Sequence, residues 1–187
     1  MNDAPAALVH FSVSVIGKDR FGIIAEATEI LYRLGCNIED SSCTLLAGDF
    51  AMILVASCRE PFDKTVLLNE FTVFGRRTGL AAYIRFLAKD ELCRQQQDGE
   101  LCLVSVHGAD RSGIVCRVAR RLADRQINIT DMNTRLAGTP GNPAYILMLE
   151  AVLPGGMTLD DVTCVLEDLK KELAIEIGVR IITPAVL

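Results

Sequence analysis

The chain has 187 residues, half of them hydrophobic and 23% charged, which is enough apolar material for two small cores. Its net charge of −5 argues against a nucleic-acid binder working by bulk charge, because phosphate affinity needs clustered Lys and Arg. No apolar run reaches the roughly 18 residues that span a bilayer and no N-terminal export pattern is visible, so a cytoplasmic protein with no membrane partner is expected.

Residues 1–7 read as a short tail. Leu8 to Ile16 alternates, with Val9, Phe11, Val13 and Val15 on one side, the pattern of a strand with one buried face. Gly17 to Gly22 is a tight loop in which Asp19 is placed to cap a helix. From Phe21 to Leu34 the residues Ile23, Ala27, Ile30, Leu31 and Leu34 recur at helical spacing, and Gly35 stops the helix. Asn37 to Leu46 and Phe50 to Cys58 read as strands joined by a turn at Gly48-Asp49, and the second is apolar enough to be central in its sheet. A helix follows Pro61, from about Asp63 to Arg76, and Leu80 to Leu87 is a fourth strand.

Residues 89–99 are polar and read as a linker between a first unit at 6–88 and a second at 100–185. The second unit repeats the order. Leu101 to His107 is a strand, Ile114, Val118, Leu122 and Ala123 mark a helix, and Ile129 to Leu136 with Ala144 to Val152 form a hairpin. Thr158 caps a helix running to Leu173, and Ile175 to Ile182 closes the unit. Strand, helix, strand, strand, helix, strand, twice over, predicts an α+β fold of two ferredoxin-like βαββαβ units. Each is a four-stranded antiparallel sheet with two helices on one face. Such a sheet leaves a face and an edge bare, which pairing of units within the chain, or in a homo-oligomer such as a dimer, would cover.

The repeat is visible residue by residue. Val15-Ile16-Gly17-Lys18-Asp19-Arg20-Phe21-Gly22-Ile23-Ile24 returns 91 residues on as Val106-His107-Gly108-Ala109-Asp110-Arg111-Ser112-Gly113-Ile114-Val115. Asn37-Ile38 and Asp40 return at the same spacing as Asn128-Ile129 and Asp131. Beyond them Ala51-Met52-Ile53-Leu54 falls on Ala144-Tyr145-Ile146-Leu147 at a spacing of 93, which implies a two-residue insertion in the turn Gly138 to Pro143. The chain is a tandem duplication.

The doubled loop, Gly-x-Asp-Arg-x-Gly-Ile, joins a strand to a helix. Free backbone N–H groups and the positive end of a helix dipole suit a carboxylate or phosphate there. The loop lacks the Lys-Ser/Thr of a P-loop and the Gly-x-Gly of a dinucleotide loop. Structural roles are also open: Gly17 for a turn, Asp19 as a cap, Gly22 for close packing of helix on sheet. A turn alone does not require the Arg that both copies keep.

The seven cysteines, Cys36, Cys43, Cys58, Cys93, Cys102, Cys116 and Cys164, form no Cys-x-x-Cys pair. Only His10 and His107 stand ready to join them as soft ligands, so no metal site is expected. They read as small buried hydrophobes in a reducing compartment.

Gly-x-Asp-Arg-x-Gly-Ile after a first strand, with Asn-Ile 15 residues past the last Gly, resembles the ACT domain over nearly the whole chain, as two units. The tandem pair without a catalytic domain, and the segment Gly35-Cys36-Asn37-Ile38-Glu39-Asp40-Ser41, are similar to the glycine cleavage system transcriptional repressor type of that family. The resemblance implies a non-catalytic regulatory protein that binds a small ligand, an amino acid, at the interface of paired ACT units. Carried over by position, the ligand-binding residues are Gly17, Asp19, Arg20, Gly22, Ile23, Asn37 and Ile38 in the first unit. In the second they are Gly108, Asp110, Arg111, Gly113, Ile114, Asn128 and Ile129. Backbone N–H groups would take the α-carboxylate, and an Asp or Asn oxygen would accept from the ammonium. The changes Phe21/Ser112 and Lys18/Ala109 imply sites of unequal affinity. No helix-turn-helix is visible, so the implied partner is a protein, a DNA-binding transcription regulator, with no direct nucleic-acid contact and no cofactor.

Two other functions stay open. One is a ligand-independent protein-interaction module. The other is an enzyme, although no Cys–His or Ser–His set recurs near a motif and His107 has only Ile16 at its matching position. Glu26 and Glu29 become Arg117 and Arg120 in the second copy, with Arg121 and Arg125 extending the basic face. This inversion is two solvated faces, or a charge complementarity that sets the register of one unit against another, or a basic face that meets an acidic partner or nucleic acid.

Overall fold

The computed structural model describes residues 7–88, 91, 99–139 and 142–183. Residues 1–6 of the expected tail, residues 89–90 and 92–98 of the expected linker and residues 140–141 of the expected turn lie outside the described residues. The chain divides into two compact units, Met1–Gln95 and Gln96–Leu187.

The first unit runs β1 (Leu8–Lys18), α1 (Ile23–Arg33), β2 (Asn37–Leu46), β3 (Asp49–Arg59), α2 (Lys64–Thr78), β4 (Ala81–Leu87). The second runs β5 (Leu101–Ala109), α3 (Ile114–Ala123), β6 (Asn128–Thr139), β7 (Asn142–Val152), α4 (Leu159–Leu173), β8 (Ile175–Ile181). The sheets have the orders β2-β3-β1-β4 and β6-β7-β5-β8, with every pair antiparallel. This is the ferredoxin-like α+β arrangement, made twice.

The alternation in β1 buries Phe11, Val13 and Val15 against Ile23, Ala27, Ile30 and Leu31 of α1 and Leu67, Phe71 and Phe74 of α2. Cys102, Val104 and Val106 of β5 meet Ile114, Val118 and Leu122 of α3 and Val162, Leu166 and Leu169 of α4 in the same way. Each sheet therefore spends one face on its two helices. Asp63 caps α2 by accepting from the Thr65 N–H, and Thr158 caps α4 in a capping box with Asp161.

Strand register corrects the insertion. Val15 pairs with Met52, and its counterpart Val106 pairs with Leu147. The third strands are thus related by 95 residues, not 93, and the same spacing holds from the cap Asp63/Thr158 to Leu80, just before β4, and Ile175, which opens β8. The extra four residues lengthen the second hairpin by two pairs, Gly138 with Pro143 and Thr139 with Asn142. The sequence match was off by two because a strand has period two: a two-residue slip keeps every apolar residue on the same face. In the first hairpin the turn residues are Ala47 and Gly48, both at positive φ, one position before the expected pair.

The cysteines are not uniformly buried thiols. Cys36 and Cys58 form a disulfide, which ties the α1–β2 connection to β3, while Cys43, Cys116 and Cys164 are exposed and Cys102 is buried. At the matching places the second unit has Ile127 and Leu153, both in its core. A disulfide stands where the other copy uses an apolar contact, and it removes the argument for a reducing compartment. No helix among the described residues is long and apolar enough to cross a membrane.

Candidate functional site

The glycine loops end β1 and β5 and lead into α1 and α3. Gly17 lies at the end of β1, where a Cβ would come within 2.7 Å of Leu80 Cδ2; at Gly108 it would come within 2.6 Å of Ile175 Cγ2. The first glycine of the motif therefore admits the start of the last strand. Gly22 and Gly113 are the N-caps, with φ of 85° and 95°, and no side chain caps either helix. Left-handed backbone explains these glycines. The expected roles thus shift: Gly17, at φ of 154°, serves packing as well as its own backbone conformation, and Gly22 serves the turn. Asp19 is not a cap. It stands four residues before the first helical residue, beyond the reach of a capping oxygen to its own helix. Its backbone N–H donates instead to the Gly48 carbonyl at 2.9 Å, tying the loop to the β2–β3 turn.

The first N–H groups of α1 and α3, which have no intrahelical acceptor, therefore have no capping side chain either. Ile23 and Ile114 are core residues, so only their backbone is available to a ligand. The two arginines differ. Arg20 folds back over its own loop, donating to the Phe21 carbonyl at 3.0 Å and bridging Glu26 at 2.8 Å, with its Nε buried and lacking an acceptor. Glu26 also contacts Arg77 of α2 at 2.7 Å. Hydrogen bonding from Arg20, then the charges of Arg20 and Arg77, hold the Glu26 carboxyl below its usual range against the opposing cost of desolvation. Arg111 is exposed, with no ion pair among the described residues, and the position that matches Glu26 is Arg117.

The other predicted landmark opens β2 and β6. Asn37 and Ile38 are exposed and stand at the wall of a surface depression of about 530 Å³ between α1 and β2. Thr28, Glu29, Tyr32 and Cys36 line it too. Both strands then bulge, between Ile38 and Asp40 and between Ile129 and Asp131. A bulge re-aims the next side chain: Asp40 accepts from the Ser41 N–H and Asp131 from Asn133. The glycine-loop residues Gly17, Asp19, Arg20, Gly22 and Ile23 do not line this depression, so the structure places the two sets of landmarks side by side on α1 without merging them. Sequence reasoning missed Thr28 and Tyr32. The signal was present in their position on the polar side of α1, two turns and one turn before Gly35; in the structure Tyr32 is 82% exposed.

Comparison with known proteins agrees with this construction. A family model for the ACT domain matches residues 10–82. The UPF0237 protein of Streptococcus pneumoniae serotype 4 is 40% identical over 76 residues, covering 41% of this chain and 86% of the relative. The chain belongs to the ACT domain family. A UPF0237 protein of Methanosarcina acetivorans is 33% identical over 76 residues, 40% of this chain and 83% of its own length. Both ACT units have a counterpart in a crystal structure of an unknown protein from Galdieria sulphuraria, with TM-score 0.80 and 24% identity over 95% of this chain and 100% of that one. A second crystal structure, of a protein proposed to be a glycine cleavage system transcriptional repressor, aligns with TM-score 0.70 and 20% identity over 94% of this chain and 98% of that one. At those identities the two structures establish the shared tandem fold.

Proposed function

We propose that this tandem ACT protein is a non-catalytic regulator that binds a small ligand, an amino acid, and through it controls a partner protein. The ligand lies where ACT units pair, between the glycine loops and the Asn-Ile ends of β2 and β6. Its carboxylate meets the uncapped N–H groups of α1 or α3, and its ammonium meets Asp19, Asp110 or the Asn37 and Asn128 amides. The observation that supports this reading is that α1 has no side-chain cap at its start and carries, farther along, the wall of a depression that Asn37 and Ile38 also line. The partner is a DNA-binding transcription regulator acting on glycine metabolism, a reading supported by the tandem fold shared with the protein proposed to be a glycine cleavage repressor. Ligand binding shifts the pairing of units and so the surface offered to that partner.

A thermal-shift screen against the twenty amino acids tests it. A ligand at 100 times its dissociation constant stabilises by about 2.7 kcal/mol. The expected hit is weakened by Asp19→Ala or Asp110→Ala, which shows which copy binds. Absence of a shift with every amino acid overturns the ligand and leaves the second reading, a ligand-independent interaction module. That reading is favoured by β2, an edge strand exposed along its whole length, with Leu46 at 75% exposure.

A further inference from the structure

The outer face of the second sheet, away from its helices, carries a feature that the first sheet lacks. Core-facing residues alternate with Leu103, Ser105 and His107 on β5 and with Gly178 and Arg180 on β8. In register, Ser105 lies between Met148 and Gly178, and Leu103 stands opposite Arg180. A cavity of about 340 Å³ opens there, lined by Leu103, Ser105, His107, Met148, Gly178, Val179 and Arg180. That volume is at the lower end of small-molecule sites.

A Cβ at Gly178 would come within 3.0 Å of Ser105 Oγ, so this glycine makes room for the Ser105 hydroxyl in the cavity. A glycine inside a strand costs about 0.5–1 kcal/mol relative to alanine, so one without a backbone reason marks a close approach or a gap. Gly178 is not among the glycines at positive φ. The first unit has Tyr83 at this register position, opposite Ser14. The other polar groups change as well. His107 corresponds to Ile16. Arg180 corresponds to Arg85, which is held in an ion pair by Glu91, whereas Arg180 is exposed with no ion pair among the described residues. Gap, imidazole and unpaired guanidinium therefore occur together in the second unit and are all missing at the equivalent place in the first.

We infer that Ser105, His107 and Arg180, around the gap at Gly178, form a binding site for a short-chain monocarboxylic acid, distinct from the glycine loops. The carboxylate lies against the Arg180 guanidinium, a planar fork suited to it. The Ser105 hydroxyl, which otherwise donates to the Gly178 carbonyl at a long 3.4 Å, donates to the same end. The aliphatic body lies over Leu103 and Met148. Glu176 stands opposite His107 at the far end and opposes a second carboxylate there. The site thus prefers monoacids to diacids of similar length.

The test is an NMR titration of the full-length, isotopically labelled protein with sodium butyrate, against sodium chloride at matched ionic strength. Saturable shifts confined to the backbone amides of Ser105, Gly178 and Arg180 and their neighbours are expected, weaker with succinate. Arg180→Met is an exposed change that leaves the fold intact, and it should weaken butyrate by about tenfold or more. Gly178→Tyr, copying the first unit, should abolish the shifts, and Arg85→Met should leave them unchanged. Absence of saturable shifts in the original protein, or shifts that persist in both Arg180→Met and Gly178→Tyr, overturns the site. A thermal-shift hit lost on Asp110→Ala but kept in Arg180→Met belongs to the glycine loops instead.

Discussion

Glu26 and Arg117 hold the same place in the two units with opposite charge, and each reaches across to the second helix of its own unit. Glu26 contacts Arg77 at 2.7 Å, and Arg117 pairs with Glu172. Arg77 and Glu172 are themselves equivalent under the 95-residue spacing. The charge inversion seen in the sequence thus exchanges the two ends of one inter-helix bridge. Glu29 and Arg120, exposed and without ion pairs among the described residues, carry the inversion onto the surface.

The bridge predicts a reciprocal exchange. Glu26→Arg places three arginines together, Arg20 and Arg77 included, and lowers the melting temperature of the first unit. Adding Arg77→Glu recreates the arrangement of the second unit and recovers part of the loss. A double-mutant cycle by thermal unfolding measures the coupling, and additive effects would show that the pair contributes nothing.

The motif glycines are not equivalent to one another. Gly17→Ala and Gly108→Ala push a Cβ into Leu80 and Ile175, and each should cost about 1–3 kcal/mol by overpacking. Gly22→Ala and Gly113→Ala meet no such wall, the nearest atom to a Gly22 Cβ being Glu26 Oε1 at 3.6 Å. Their cost is left-handed backbone, about 1–2 kcal/mol. Gly17 also has a φ of 154°, and the Ile175 Cβ would lie 3.2 Å from a Cβ at Gly108, so trimming by Leu80→Ala or Ile175→Ala should relieve the first pair in part and the second pair not at all, as denaturant unfolding of the variants would show.

The Cys36–Cys58 bond closes a loop of sequence separation 22. Its reduction should destabilise the first unit by about 3 kcal/mol on a chain-entropy estimate. The double substitution Cys36→Ile with Cys58→Leu, which copies Ile127 and Leu153 of the second unit, should fold and melt identically with and without reductant. Melting of the parent protein that is insensitive to reductant would contradict the disulfide.

Asp161 accepts from the Thr158 backbone N–H at 2.8 Å and from its hydroxyl, and these bonds lower its carboxyl below the ordinary value. A depressed carboxyl means that the unfolded chain binds the proton more readily. Its contribution is complete above the ordinary aspartate value of about 3.9 and disappears as pH falls through the lowered one. Thr158→Ala should cost about 1 kcal/mol at neutral pH. Urea unfolding from pH 7 to pH 3 should show the gap between the parent and Asp161→Asn closing below pH of about 4.

Much of this was legible in the chain itself. Element order, the helical stripes of Ile23 to Leu31 and Ile114 to Leu122, and the alternation in β1 follow from backbone periodicity, which is local and needs no partner. The duplication and the ACT motifs were equally local. Register was not, because a strand slipped by two residues keeps its faces, and only the pairing of Val15 with Met52 and of Val106 with Leu147 decided it. Tertiary structure alone also showed that Gly17 serves packing and Gly22 the turn, and that Arg20 is turned back onto Glu26. It alone joined Cys36 to Cys58 and opened a gap at Gly178 where the first copy carries Tyr83. Each depends on which distant residue arrives at a given position, and that is a property of the folded sheet and not of the spacing along the chain.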